Sequence, residues 1–220
     1  MAKKRKVGNL LALAVLATLI ERPMHRYEIA AQMRERGKDR DMDVKWGSLY
    51  TVVQNLEKHR FVEVVGSERD GSRPERTIYR LTDAGRAEAE DWLRELLSTP
   101  EPEHHRFVAG LSIVAMLPPD EVITLLDERT RLLAAEIDAR RREIEEQSRF
   151  LPRLFLIEAE FGVAMLEAEA EWVAALRSEL AAGTFPDIDF WRRTHAENIP
   201  PAEVAALVEG GAFTQPTDNS

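Results

Sequence analysis

Leu49, Val52, Val53 and Leu56 fall at offsets 0, 3, 4 and 7, the apolar stripe of a helix that begins near Gly47 or Ser48 and ends near Arg60. With no linker between, Phe61-Val62-Glu63-Val64-Val65 reads as a strand, Gly66 to Pro74 as a turn-rich loop carrying Arg69 and Arg73, and Arg76 to Leu81 as a return strand. A helix that runs straight into a hairpin needs cover from its neighbours in the chain. Asn9–Ile20 reads as a core helix, apolar from Leu10 to Ile20. A second helix is expected from about Met24 to Arg36, on the spacing of Tyr27, Ile29, Ala30 and Met33, with Pro23 before it and Gly37 as a stop. Thr82 caps a fourth, with Gly85 in its first turn, running through Trp92 to Leu97. Three helices followed by a hairpin with arginines at its tip is the order of a winged helix-turn-helix.

The face of the 47–60 helix opposite its stripe carries Ser48, Thr51, Gln54, Asn55 and Lys58, with Tyr50 at the flank. It is small, polar and singly basic, which suits a major groove about 12 Å wide whose base edges offer hydrogen-bonding groups. For an isolated helix a solvated surface is the plainer reading; the arginine-tipped hairpin that follows favours DNA. Charge is distributed accordingly. The chain's net −9 splits into 17 Lys+Arg against 11 Asp+Glu in residues 1–82 and 13 against 28 in residues 83–220, with all six lysines before residue 59. A basic block ahead of an acidic one is expected when only one part meets a polyanion. With no cysteine among 220 residues, disulfides, zinc-thiolate sites and cysteine nucleophiles are excluded, in keeping with a reducing compartment, here expected to be the cytoplasm.

Lys3-Lys4-Arg5-Lys6 followed by the apolar run mimics a secretory signal, and the tetrapeptide also resembles a nuclear localisation string. The run is shorter than the ~20 apolar residues that span a membrane, and the helical pattern after it needs it as a packing partner. A phosphate-touching arm or a solvated terminus fits the basic cluster better.

Leu10–Ile20, Pro23-Met24-His25-Arg26-Tyr27-Glu28, Trp46-Gly47-Ser48-Leu49-Tyr50, Asn55-Leu56-Glu57-Lys58 and Ile78-Tyr79-Arg80-Leu81-Thr82-Asp83-Ala84-Gly85 together resemble the PadR-type transcriptional regulators over residues 8–97. These are bacterial and archaeal winged-helix proteins, usually homodimeric repressors. The resemblance implies that Tyr50 and the face around Thr51, Gln54 and Lys58 meet DNA, that Arg73 and Arg76 serve the wing, and that Tyr79, Leu81, Thr82 and Gly85 are mainly structural. The full DNA-binding set expected is Lys3, Lys4, Arg5, Lys45, Ser48, Tyr50, Thr51, Gln54, Asn55, Lys58, Arg69, Arg73 and Arg76. Two residues depart from the family pattern, which usually has glycine at both places. Arg26 either adds a phosphate contact or is solvated, and Arg60, at the end of the recognition helix, suggests a different closure there, because a left-handed non-glycine costs about 1–2 kcal/mol.

Beyond Thr99-Pro100-Glu101-Pro102 the pattern changes. A short helix is expected from about His105 to Met116, a long one from Asp120 to Gln147 on Val122, Leu126, Leu133, Ile137 and Ile144, and another after Pro152 through Leu154, Phe155, Phe161, Met165, Trp172, Leu176 and Leu180 to Gly183. At ~1.5 Å per residue the long helix extends roughly 40 Å, and two such helices enclose little core alone. Each chain is therefore expected to lend them to a twofold partner; a hairpin packed on the winged part is the alternative. The expected fold class is mostly α, a winged helix-turn-helix and linking helix in 1–97, a long-helix dimerisation and effector domain in 98–183, and an extended tail in 184–220 with one short helix from Ala202 to Val208, packing over the dimer through Phe190 and Trp191.

Trp92, Phe107, Phe155, Phe161 and Trp172, with Trp191, are candidates to line a small-molecule effector site, although aromatics at helical spacing more often belong to a core. His104-His105 point about 100° apart on a helix with no completing ligands, so no metal is expected, and no cofactor. Gly-rich phosphate loops, His-Glu-x-x-His and the nucleophile elbow are all missing, so no catalytic residue is expected. The expected function is sequence-specific binding to a palindromic promoter operator by a homodimeric repressor released by an effector; the alternative is a winged-helix module for protein contact.

Overall fold

The structure, a computed structural model, describes residues 5–38, 46–68, 76–101 and 105–209. It forms two compact units, Met1–Glu103 and His104–Ser220.

In the first unit, α1 (Leu10–Thr18) is the central post. Asn9 caps it by accepting from the Leu11 amide at 2.9 Å, and Leu11 to Leu16 are all buried, as a helix apolar on every side requires. After Pro23 comes a feature absent from the sequence reading: Met24–His25 is a short strand, β1, pairing antiparallel with the return strand of the wing, Met24 opposite Tyr79. The expected helix from Met24 therefore starts two residues later, as α2 (Arg26–Glu35). Its capping box is closed by the His25 ring accepting from the Glu28 amide and the Glu28 carboxylate accepting from the His25 amide. Ile29, Ala30 and Met33 are buried, but Tyr27, assigned to that stripe from its spacing, is 71% exposed.

A 3-10 turn (Trp46–Ser48) leads into α3 (Leu49–Lys58), whose stripe Leu49, Val52, Val53 and Leu56 is buried. Helix α3 does not close in an unusual way. Arg60 takes the left-handed conformation (φ 61°), its amide donates to the Glu57 carbonyl at 2.8 Å, and the Phe61 amide donates to the Leu56 carbonyl at 2.9 Å. This is a Schellman closure with arginine in the place that favours glycine. Strands β2 (Val62–Glu68) and β3 (Arg76–Leu81) pair antiparallel with an irregularity between Val64 and Gly66, giving the sheet order β1-β3-β2. The strand runs further along the chain than expected, to Glu68. Helix α4 (Asp83–Ser98) is capped by the Thr82 hydroxyl, which accepts from the Gly85 amide at 3.0 Å.

In the second unit, the expected 105–116 helix is broken into α5 (Arg106–Leu111) and a 3-10 turn (Val114–Met116). The long helices are α6 (Pro119–Gln147) and α7 (Ile157–Ala182), the latter ended by left-handed Gly183. They pair as an antiparallel hairpin: Asp127 meets Arg177, Arg129 meets Glu169 and Arg141 meets Glu167, one number rising as the other falls. Val122, Leu126, Leu133, Val173 and Leu180 form its core. The tail is more structured than expected. Ile188–Ala196 is a helix, α8, and Pro201–Glu209 another, α9. Trp191, expected to cover a dimer, also packs within its own unit: its Nε1–H donates to the Leu117 carbonyl at 2.9 Å and its ring meets Phe185.

Candidate nucleic-acid interface

Burial of the α3 stripe turns the opposite face outward, and there Tyr50, Thr51, Gln54, Asn55 and Lys58 are exposed, Tyr50 by 53%, with Ser48 half-buried at the helix entrance. Tyr50 is braced twice. The Arg26 guanidinium lies 4.2 Å from its ring centre, and the Gln54 amide donates to its hydroxyl at 2.8 Å. Arg26 is the first residue of α2, so the brace ties the start of one helix to the outer face of the next. Nearby, Arg34 stacks on Trp46 at 4.1 Å, and Arg76, at the base of the wing, lies 5.6 Å from the Tyr27 ring with its Nη1 3.4 Å from His25 Nε2. Burial pushes the Tyr79 phenol above its ordinary value, and the charge of Arg26 acts in the opposite direction. These three arginines thus pair with aromatic rings, and such pairs carry both charge suited to phosphates and flat or polar groups suited to bases.

Several expected residues are placed differently. Arg5 is not an arm for phosphate. Its side chain is 3% exposed, ion-paired with Glu88 at 2.8 Å, Asp91 at 3.1 Å and Glu95, and set over the Trp92 ring at 5.2 Å. Desolvation lowers its pKa, but the three carboxylates outweigh that and hold it above the usual value. Three acidic side chains on one face of α4 thus hold this cation and neutralise it. Trp92, expected in an effector site, is buried in the core of the first unit. Lys3, Lys4, Lys45, Arg69 and Arg73 lie outside the described residues. Of the other aromatics, Phe107 and Trp172 meet edge to face at 6.1 Å, with the Arg129 guanidinium 3.7 Å from the Phe107 ring centre, while Phe155 and Phe161 are exposed. Arg26 and Tyr27 are the residues that the sequence-derived set left out. The signal for Arg26 was its departure from glycine; Tyr27 was concealed by its helical spacing. Among the described residues no group of three His, Cys, Asp or Glu side chains is arranged to hold a metal ion, and no helix is long and apolar enough to cross a membrane.

Residues 15–91, from within α1 into α4, match the Transcriptional regulator PadR-like family. That match covers about a third of the chain. Chaperone protein ClpB of Mycobacterium bovis and of Mycobacterium tuberculosis is 45% identical over 69 residues, which is 31% of this chain and 8% of the chaperone. The probable transcriptional regulator Rv1176c of Mycobacterium tuberculosis is 29% identical over 93 residues, 40% of this chain and 46% of that protein. The chain therefore spans less than half the length of the curated relatives it matches. Among solved structures, Bacillus subtilis PadR in complex with operator DNA superimposes with a TM-score of 0.66 at 18% identity, over 78% of this chain and 99% of that one. The same protein in complex with p-coumaric acid gives 0.64 at 17% identity, over 79% and 99%. At such identities the likeness is one of fold. It extends beyond the winged unit, since more than three quarters of the chain is covered. Residues 15–91 contain the buried α3 stripe, its polar outer face and the β1 strand that pairs with the wing.

Proposed function

We propose that this PadR-like regulator acts as a homodimeric repressor that binds a palindromic operator in duplex promoter DNA and is released by a small aromatic effector. The observation that carries the reading is the outer face of α3, exposed, polar and braced at Tyr50, while the same helix's stripe is fully buried. The recognition helix, 47–60, enters the major groove through Ser48, Tyr50, Thr51, Gln54, Asn55 and Lys58, and the wing, 66–76, brings Arg69, Arg73 and Arg76 to phosphates, with Lys3, Lys4 and Lys45 adding charge. By segment, residues 1–97 serve as the DNA-binding domain, 98–183 as the dimerisation and effector domain and 184–220 as a tail.

Dimerisation is supported by Ile157, Phe161, Met165 and Trp172, which lie exposed along α7 although the hairpin has its own core. A monomer rarely leaves so long an apolar stripe in water. For the effector, Bacillus subtilis PadR is known with p-coumaric acid, and Phe107, Trp172 and Arg129 supply aromatic edges and a cation in this chain. The chain works by binding rather than catalysis, without cofactor or metal, in the cytoplasm. The test is selection of bound fragments from genomic DNA by the wild type and by a Tyr50→Ala, Lys58→Ala double variant. The wild type should enrich a two-part palindrome and the variant should enrich none while keeping its mass and helicity; equal enrichment by the variant would move recognition off α3, and no enrichment by the wild type would favour a protein-contact module instead.

A further inference from the structure

A cation at the first position of a helix works against the helix dipole, so Arg26 needs a local reason for its place. Among the described residues its partner is the ring of Tyr50, 4.2 Å away, and Tyr50 is in turn hydrogen-bonded to Gln54, one turn further along α3. The three side chains form a chain from α2 to the centre of the outward face. A glutamine amide reads adenine by donating one N–H to N7 and accepting from the N6 amino group through its oxygen. Gln54 has two amide hydrogens. The Tyr50 hydroxyl takes one at 2.8 Å, which leaves the other and the carbonyl oxygen as the pair that adenine requires.

We propose that Arg26 is a positioning residue for base readout: by packing on Tyr50 it fixes the phenol, the phenol fixes the Gln54 amide, and Gln54 selects adenine at one position of each half-site. The proposal rests on the reading of α3 as the DNA-recognition helix. It assigns to Arg26 a task different from a phosphate contact. A long amide that is free to rotate loses entropy when it reads a base, whereas one already held by Tyr50 has lost much of it before binding. The brace therefore raises discrimination at one base pair more than it raises overall affinity.

The test uses the full-length protein and the half-site it selects from random duplex DNA. Selection is repeated with Gln54→Ala, Tyr50→Phe and Arg26→Met. Tyr50→Phe keeps the stacked ring and deletes only the hydroxyl, so it probes the relay with little risk to the fold. A good bidentate base contact is worth roughly tenfold or more in discrimination. The wild type should prefer adenine at one half-site position by about that factor, and all three variants should lose the preference at that position and at no other. Arg26→Lys, which keeps a cation over the ring, should restore part of it. The slope of log affinity against log salt should be unchanged in Arg26→Met. If Arg26→Met instead weakens every sequence equally and lowers that slope by about one, Arg26 is a phosphate contact and the proposal fails. It fails equally if adenine is not preferred, or if Tyr50→Phe keeps the preference. Failure of the wild type to select any sequence would sink the reading of α3 itself, a separate result.

Discussion

The Thr82 hydroxyl lies 2.7 Å from the Arg60 carbonyl and donates to it, across the point where the recognition helix ends and the wing returns. The same oxygen accepts from the Gly85 amide, and the Thr82 amide donates to the Phe61 carbonyl at 3.1 Å. One residue thus caps α4 and holds the left-handed arginine that closes α3. Replacing Thr82 by Ala should cost about 1–2 kcal/mol by loss of the cap alone, with Thr82→Ser close to wild type. Arg60→Gly should stabilise by about 0.5–1 kcal/mol, the relief of left-handed strain less the added backbone entropy. Urea unfolding of the three variants checks both signs.

Gly85 lies against the same turn. A β-carbon there would stand 2.0 Å from the Phe61 carbonyl oxygen and 2.8 Å from its carbon, a backbone obstacle that cannot rotate away. Gly85→Ala should destabilise the first unit by at least about 2 kcal/mol, as overpacking of a tight site does. Loss of near-ultraviolet signal from Trp92, buried in the same core, would register it.

Arg5 gives a prediction opposite to the one its sequence context suggests. Arg5→Ala should lower stability by about 2 kcal/mol, less than for a fully buried pair because its acidic partners are partly exposed. It should leave the salt dependence of DNA binding unchanged. A shallower salt slope for the variant would return Arg5 to the phosphate-binding set.

Glu28 sets an acid-side prediction. Burial pushes its carboxyl up, but the hydrogen bonds from the His25 amide and the Arg22 guanidinium, with the Arg22 charge, outweigh this and hold it below the usual range. The stability this contributes is present above the ordinary glutamate range, near pH ~4, and is lost as pH falls through the lower folded value. Glu28→Gln preserves the capping hydrogen bond but cannot titrate. Its melting temperature should lie below wild type at pH 7 and fall less steeply between pH 5 and 3, so that the two converge at acid pH; identical slopes would contradict the assignment.

The parts of the fold written in local periodicity were legible: the α3 stripe, the strand that follows, the Thr82 cap and the long helices. What the sequence hid depended on tertiary pairing. Met24–His25 is too short to announce itself as a strand and exists because β3 offers it an edge. Arg5 looked like a free cation because its acidic partners lie more than eighty residues away on α4. Tyr27 and Trp92 share the spacing of core residues, yet one is outside and the other inside; spacing gives a helical face, and the neighbours decide which face is covered. Arg60 shows the converse, a local rule broken where hydrogen bonds from Thr82 and within the Schellman turn over-determine the backbone.

The central claim, two heads on one dimer gripping one duplex, is tested most directly by fluorescence anisotropy with the selected operator carrying both half-sites or only one. Linking two weak sites raises affinity by about 10²–10⁴ through effective concentration. The two-site duplex should bind one dimer, at least a hundredfold more tightly than the one-site duplex, and Phe161→Glu on the α7 stripe should remove that difference by releasing monomers. Equal affinity for the two duplexes, with a single 25.0 kDa species in solution, would contradict the account.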